Sequence, residues 1–126
     1  MSKLPRNSWN TYGTQDDLLK YLSVSLVLVH GLNGDPVESW THDKTKICWP
    51  RDLLHQKLPQ TRVFSFGYDA DIEGNSSVAG IRGNARALLG RLRDHREDLK
   101  SRNPIVFLAH SLGGLIVKQV PKQLSP

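Results

Sequence analysis

Three short apolar runs, each followed directly by small and polar residues, set the pattern of this chain. They lie at residues 24–29, 62–66 and 105–109 and are rich in Val, Ile, Leu and Phe. In the first run Leu26, Val27, Leu28 and Val29 are apolar without alternation, which is typical of a strand buried on both faces in a parallel sheet. The three runs therefore predict three strands of one parallel sheet.

Helical periodicity follows each predicted strand. Pro50 suits the first turn of a short helix, which Pro59 ends. The apolar positions of that helix predict one face, formed by Trp49, Leu53, Leu54 and Leu58. The longest helix is predicted from apolar positions spaced three or four residues apart, at Ile81, Ala85, Leu88, Leu89, Leu92 and Leu99, with His95 on the same stripe. A last helix is predicted from Leu112 to about Val120, just before Pro121.

Strand and helix thus alternate three times. This order predicts an α/β fold in which a central parallel sheet of about three strands is flanked by helices, with right-handed crossovers. We assign residues 1–22 to a partly ordered leader and residues 23–126 to the α/β domain. Residues 16–21 fit a short helix or an edge strand equally well.

Charge and cysteine content narrow the classes of function. The net charge is +5, but the basic residues of segment 82–102 alternate with acidic ones, which favours a solvated helix face over a nucleic-acid surface. The single cysteine, Cys48, excludes a disulfide framework and a cysteine-based metal site. We expect no metal, no cofactor and no transmembrane segment. We also expect an intracellular, by default cytoplasmic, location, because residues 1–10 lack the apolar core of a signal peptide.

The third run leads into the most informative motif, Ala109-His110-Ser111-Leu112-Gly113-Gly114. A serine between small residues at positions −2 and +2, placed where a strand turns into a helix, is the pattern of a nucleophile elbow. Gly114 is expected to let the new helix lie close to the strand. The alternative is an ordinary strand-to-helix turn.

The first run ends in His30-Gly31-Leu32-Asn33-Gly34, a second glycine-containing turn at the same edge of the sheet. Acyl transfer needs two backbone N–H groups to stabilise an oxyanion. We predict that Leu112 and Leu32 supply them, and that His30 is an orienting or structural residue rather than a base.

The segments VLVHGLNGDPVESW, WPRDLL, RVFSFGYDADIEG and PIVFLAHSLGGLIVKQ together resemble the N-terminal half of an α/β-hydrolase. The resemblance is to lipase-like serine esterases, including GPI-inositol-deacylase-like and "serine active site containing" proteins and hydrolase-like modules of fungal signalling proteins. It implies that Ser111 is the nucleophile, that Leu32 and Leu112 donate to the oxyanion, and that residues 67–69 border the site. The implied substrate is a lipid or another acyl ester.

The α/β-hydrolase triad runs Ser, then Asp or Glu, then His. The 15 residues after Ser111 contain none of these acidic residues and no histidine. We therefore expect a fold that is incomplete at the C-terminus and nearly inactive alone. Three explanations fit an incomplete fold: a truncated gene product, a natural short form, or a degenerate domain that serves as a scaffold.

The rival hypothesis is a non-catalytic interaction or signalling module with protein partners or fused signalling domains. Neither hypothesis involves nucleic acid. The resemblance leaves association with the mitochondrion or the endoplasmic reticulum membrane open.

Overall fold

Four strands and three helices form the framework of the protein in a computed structural model, which describes residues 9–12, 24–69, 77–99 and 104–123. The strands are β1 (Trp9–Tyr12), β2 (Ser25–Val29), β3 (Arg62–Phe66) and β4 (Ile105–Ala109). The helices are α1 (His55–Lys57), α2 (Val78–Leu99) and α3 (Leu112–Gln123). A 3-10 turn at Glu38–Trp40 and a π-helical turn at Pro50–Leu54 precede α1.

The strands form one sheet in the order β1-β3-β2-β4. Strand β2 runs parallel to both β3 and β4, so the predicted parallel sheet of three strands is confirmed. In this register Val29 lies beside Phe66 on one side and beside Ala109 on the other. The loops that follow the three parallel strands therefore begin at one level of one sheet edge.

Strand β1 was not predicted. It pairs antiparallel with β3, although it lies inside the stretch that the sequence assigns to a leader. Its sequence, WNTY, is too short to carry an alternation signal, and the pairing depends on a partner more than 50 residues away along the chain. The predicted helix or strand at residues 16–21 lies outside the described residues.

The main core lies between one face of the sheet and the helices α2 and α3. Its fully buried members from the sheet are Val27, Val29, Phe64 and Phe66, and its helical members are Ala85, Leu88, Leu89, Leu92, Leu112, Ile116 and Val120. Four positions of the predicted stripe of the long helix are therefore buried and Ile81 packs against them partly buried, whereas the side chain of Leu99 lies outside the described residues. His95 also lies on it, with its ring edge-on to Phe64 at a centroid distance of 4.3 Å.

The opposite face of the sheet is covered by the segment that follows β2. On this face Leu28 and Val63 are fully buried, and the Ser65 hydroxyl donates to the Pro36 carbonyl at 2.5 Å. Because side chains alternate along a strand, these residues point away from the helical core. The chain thus packs on both faces of β2 and β3, whereas Val106 and Leu108 of β4 are 49% and 42% exposed on this face.

Two helix predictions were wrong in detail. The residues predicted to share one helical face are not all buried, because Leu53 and Leu58 are 49% and 53% exposed. The π-helical turn at Pro50–Leu54 changes the angular spacing of side chains, so a 3.6-residue period does not apply there.

Helix α3 also continues past Pro121 to Gln123. Proline removes one N–H donor, and near the last turn of a helix that loss affects few further bonds.

Helix α2 contains two glycines with free space around them. A Cβ atom added at Gly83 or Gly90 would meet nothing within 4 Å. We predict that Gly83→Ala and Gly90→Ala each raise the free energy of unfolding by about 1 kcal/mol, because alanine is the better helix former. Urea unfolding followed by circular dichroism measures this. A loss of stability in either variant would contradict the packing described for α2.

Candidate active site

Two turns meet at the carboxyl edge of the sheet, where β2 and β4 end. The His110 N–H donates to the Val29 carbonyl at 3.0 Å, which joins the turn after β4 to the end of β2. Ligands of open α/β sheets bind at this edge. The candidate site is therefore built from the turn at residues 30–34 and the turn at residues 109–114, with residues 67–69 beside them.

Ser111 occupies the apex of the turn between β4 and α3. Its backbone φ is 55°, in the left-handed region that non-glycine residues seldom adopt. Such a conformation costs on the order of 1–3 kcal/mol and persists only when its surroundings enforce it. Helix α3 begins at the next residue, and Ser111 itself is exposed. The strained, exposed serine has the backbone form of an elbow rather than of an ordinary strand-to-helix turn.

Gly113 allows the first turn of α3 to lie against β2. A Cβ atom at this position would collide with the Val29 and His30 carbonyl oxygens. The prediction that Gly114 has this role was wrong, because a Cβ atom at Gly114 would meet nothing within 4 Å. The first turn of the helix faces the strand on one side only, and residue 113 falls on that side.

Gly31 makes the corresponding contact from the other turn. A Cβ atom there would lie 2.8 Å from His110 Nδ1, 2.9 Å from the His110 carbonyl and 3.0 Å from Ser111 Cβ. The absence of a side chain at Gly31 therefore lets the turn after β2 approach the elbow directly. The two predicted turns therefore lie so close together at Gly31 that a methyl group would not fit between them.

The carbonyl of Gly31 fixes the orientation of the Gly31–Leu32 peptide. It accepts hydrogen bonds from His30 Nδ1 and from the Gly34 N–H, both at 3.0 Å. In a trans peptide the C=O and N–H point in opposite directions, so the Leu32 N–H is directed away from the His30 ring. Within the described part of the chain, no acceptor takes up the N–H of Leu32 or of Leu112. The assignment of these two N–H groups as oxyanion donors stays a prediction.

His30 is a fully buried, neutral member of the site. Its ring stacks on Tyr68 with centroids 4.2 Å apart, the Tyr68 N–H donates to Nε2 at 3.4 Å, and the Tyr68 hydroxyl donates to the His30 carbonyl at 2.6 Å. Burial lowers the pKa of His30, although the Gly31 carbonyl and Asp35 oppose that shift, and burial raises the pKa of Tyr68. An acceptor role for Nε2 leaves the proton on Nδ1, where it binds Gly31. This is the arrangement of an orienting residue.

The contact of Tyr68 with His30 was not predicted from the sequence. The resemblance placed residues 67–69 at the border of the site, but it did not indicate that the ring and hydroxyl of Tyr68 hold His30. An aromatic residue two positions after a predicted strand carries no signal for its partner, because that partner comes from the loop of another strand.

The remainder of the turn after β2 is held by Asp35. Its carboxylate accepts from the N–H groups of Val37 and Glu38 at 2.8 and 2.9 Å, and its own N–H donates to Ser39 Oγ at 2.9 Å. These bonds cap the 3-10 turn, as an aspartate does at the start of a helix. The loop is therefore tied down on both sides of Gly34.

The described histidines do not supply a base for Ser111. In the ranges that the structure covers, Ser111 Oγ forms no hydrogen bond with a histidine ring nitrogen. His42 instead bonds Thr45, His55 is an exposed residue of α1, and His95 is partly buried with its ring against Phe64. Among the described residues, no group of three or more His, Cys, Asp or Glu side chains is placed to hold a metal ion, and no helix is long and apolar enough to cross a membrane.

A parallel α/β sheet whose central strands lead into a serine elbow and a glycine-containing turn is the arrangement of an α/β-type serine esterase. The chain belongs to the DUF676 family, described as "putative serine esterase", whose model matches residues 24–124. The predicted family and fold class are confirmed.

The chain is similar to the curated protein SERAC1 of three vertebrates. It is 26% identical to the zebrafish protein over 118 residues, 26% to the bovine protein over 116 and 24% to the human protein over 116. In each case the match covers 79% of this chain and 18% of the relative, so the chain spans about a fifth of the length of the curated relatives. No solved structure matches it.

Gly113 and Gly114 form a matched pair that tests the elbow packing. We predict that Gly113→Ala lowers the free energy of unfolding by about 3 kcal/mol, because the new methyl group meets immobile backbone atoms. Gly114→Ala should leave stability unchanged or raise it by up to about 1 kcal/mol. Urea unfolding measures both, and equal effects of the two variants would contradict the placement of α3.

The buried His30 predicts an acid-dependent loss of stability. Its folded-state pKa lies below the ordinary value of 6.5, so on acidification the unfolded chain takes up a proton that the folded chain refuses. The stability that the chain gains from neutral His30 is therefore fully present above pH 6.5. Below pH 6.5 the free energy of unfolding falls, by at most about 1.4 kcal/mol per pH unit. In His30→Asn an amide nitrogen replaces Nδ1 without titrating, so this variant should lack that part of the slope. The measurement is urea unfolding between pH 5 and 8. A wild-type slope equal to that of the variant would contradict the buried, neutral state.

Proposed function

We propose that this chain forms the nucleophile and oxyanion side of a serine esterase site for acyl esters. The observation that carries the proposal is the left-handed backbone of Ser111, φ 55°, with Gly31 packed directly against it. Membership of the DUF676 family supports the same class of reaction.

In the proposed reaction Ser111 Oγ attacks the ester carbonyl carbon and loses its proton to a base. The carbonyl oxygen becomes an oxyanion that accepts from the N–H groups of Leu32 and Leu112. Collapse of this intermediate breaks the bond to the alcohol, which leaves with the proton, and an acyl-Ser111 ester remains. Water then attacks the acyl carbon by the same route and releases the acid. Each oxyanion donor contributes about 3–4 kcal/mol to lowering such a barrier.

His30 acts in this proposal as a positioning residue. Its Nδ1–H holds the Gly31 carbonyl, and that bond sets the direction of the Leu32 N–H. Tyr68 in turn keeps the His30 ring buried and neutral. Ala109, His110, Gly113 and Gly114 form the supporting turn around Ser111.

Apolar side chains beside the site support an acyl or lipid substrate. Leu32, whose N–H is a proposed oxyanion donor, is 41% exposed, and Leu115 is 50% exposed one helical turn after Ser111. Exposed leucines flanking a reacting serine are suited to contact a hydrocarbon chain.

The intracellular location of the protein stays a prediction.

The base and the acid of the triad are proposed to lie outside these 126 residues. The residues after Ser111 contain no Asp, Glu or His, and the SERAC1 relatives are more than five times as long as the matched segment. The 126 residues alone are therefore proposed to be nearly inactive. A Ser111 that bonds no base among the described residues is what favours the second candidate function, a non-catalytic interaction module.

Added imidazole distinguishes the two functions, because it supplies a base from solution. We predict that the 126-residue chain hydrolyses p-nitrophenyl butyrate at nearly the rate of Ser111→Ala in plain buffer. With imidazole, the wild-type chain should exceed the rate of imidazole plus Ser111→Ala, and the excess should rise with the concentration of neutral imidazole. Release of p-nitrophenol is measured by absorbance. Equal rates of the two chains at every imidazole concentration would contradict the esterase proposal and favour the interaction module.

A further inference from the structure

Asn33 and Gly34 stand together in the turn after β2, and the proposed reaction makes no use of the Asn33 side chain. Asn33 is exposed, and its backbone φ is 58°, a left-handed conformation that asparagine tolerates better than most residues. Among the described residues, no hydrogen bond engages its side-chain amide. The turn thus presents an unbonded amide to water directly before a glycine.

An asparagine that precedes a glycine has an intramolecular reaction open to it. The Gly34 backbone nitrogen loses its proton and attacks Asn33 Cγ, the bond from Cγ to the side-chain nitrogen breaks, and that nitrogen takes up a proton and leaves as ammonia. The product is a cyclic succinimide. Water then opens the ring, at Cγ to give aspartate or at the backbone carbonyl to give isoaspartate, whose main chain runs through the former side chain.

The packing of the turn requires the residue pair that makes this reaction possible. A Cβ atom at Gly34 would lie 2.7 Å from Ser39 Oγ, 2.8 Å from His30 Nδ1 and 2.9 Å from the Gly31 carbonyl oxygen. Only glycine therefore fits after Asn33, and a residue without a side chain also leaves its own nitrogen unshielded. The reactive pair follows from the shape of the turn.

The same packing slows the reaction in the folded chain. The Gly34 N–H donates to the Gly31 carbonyl at 3.0 Å, so the proton that must leave is held in a hydrogen bond. The close contacts of Gly34 also keep its nitrogen from turning toward Asn33 Cγ. Local opening of the turn must come first, and the rate then follows the fraction of molecules in which the turn is open.

Isoaspartate at position 33 would rearrange the turn. It adds one carbon to the main chain inside the loop that the bond from the Gly34 N–H to the Gly31 carbonyl closes. That carbonyl also fixes the Gly31–Leu32 peptide, so a broken or displaced bond changes the direction of the Leu32 N–H. Aspartate, by contrast, leaves the length of the main chain unchanged.

We propose that Asn33 is a site of succinimide-mediated deamidation, that the hydrogen bond from Gly34 to Gly31 slows the reaction in the folded chain, and that formation of isoaspartate displaces the turn at residues 30–34. The modification needs no chemistry at Ser111. The inference therefore goes beyond the proposed function, and either can fail without the other.

Peptide mass spectrometry of the chain incubated at mildly alkaline pH, folded or in urea, tests the first two parts. The peptide that contains Asn33 should gain the mass difference between an amide and an acid, and electron-transfer fragmentation should identify isoaspartate. We expect the reaction to be at least about tenfold slower in the folded chain. Asn33→Gln is the control and should not react, because glutamine closes a larger ring less readily. No conversion in urea, or equal rates in the two states, would overturn the proposal.

Tyr68→Phe and Ala87→Gly distinguish opening of the turn from unfolding of the whole chain. Tyr68→Phe removes the hydroxyl that donates to the His30 carbonyl at the start of the turn, whereas Ala87→Gly destabilises the middle of α2. We expect Tyr68→Phe to speed deamidation about fivefold and Ala87→Gly to change it less than twofold. Far-UV circular dichroism checks that both variants fold. Equal effects would show that the reaction follows global unfolding and would contradict a role for the turn.

Amide NMR spectra of the separated products test the third part. With isoaspartate at position 33, the amide signals of Leu32 and Gly34 should move well beyond their positions in Asn33→Asp, which carries the same charge on an unaltered main chain. Leu32 and Gly34 signals that match those of Asn33→Asp would overturn the predicted displacement.

Discussion

The direct contact between two backbone turns at the carboxyl edge of the sheet is the constraint on which the site depends. A Cβ atom at Gly31 would collide with the ring and carbonyl of His110 and with Ser111 Cβ, and one at Gly113 would collide with the Val29 and His30 carbonyl groups at the end of β2. No side chain fits at either position, so the turns approach as closely as their main chains allow. The left-handed backbone of Ser111 is held in this arrangement, and the N–H groups of Leu32 and Leu112 donate to no other described backbone group.

The second layer of the site is a buried polar unit rather than a reactive one. The rings of His30 and Tyr68 stack, and two hydrogen bonds join the two residues. The fixed His30 ring in turn bonds the Gly31 carbonyl through Nδ1. Because burial lowers the pKa of His30 below its ordinary value of 6.5, the His30 ring is neutral at pH 7 and above. The proposed positioning role of His30 agrees with this, since no hydrogen bond joins a histidine ring nitrogen to Ser111 Oγ among the described residues.

Local sequence signals were sufficient for the elements that carry the site. The predicted bounds of β3 and β4 match the structure, and β2 differs by one residue, because each is a dense apolar run ended by a turn. The signals failed where the outcome depends on distant partners or on unusual local geometry. Strand β1 exists through its pairing with β3, the π-helical turn at Pro50–Leu54 breaks the expected period, and Gly113 rather than Gly114 faces β2. The role of Tyr68 was not predicted either, because its partner His30 lies on the loop that follows another strand.

The central claim is that the elbow and the turn after β2 form one preorganised site for a tetrahedral oxyanion at Ser111. The most direct test is to treat the chain with a fluorophosphonate in the presence of imidazole, to locate the adduct by peptide mass spectrometry, and to record amide NMR spectra of the product. The account predicts one adduct, on Ser111, with the largest amide shifts at Leu32 and Leu112. An adduct on another residue, or an adduct on Ser111 that leaves the Leu32 amide unmoved, would contradict it.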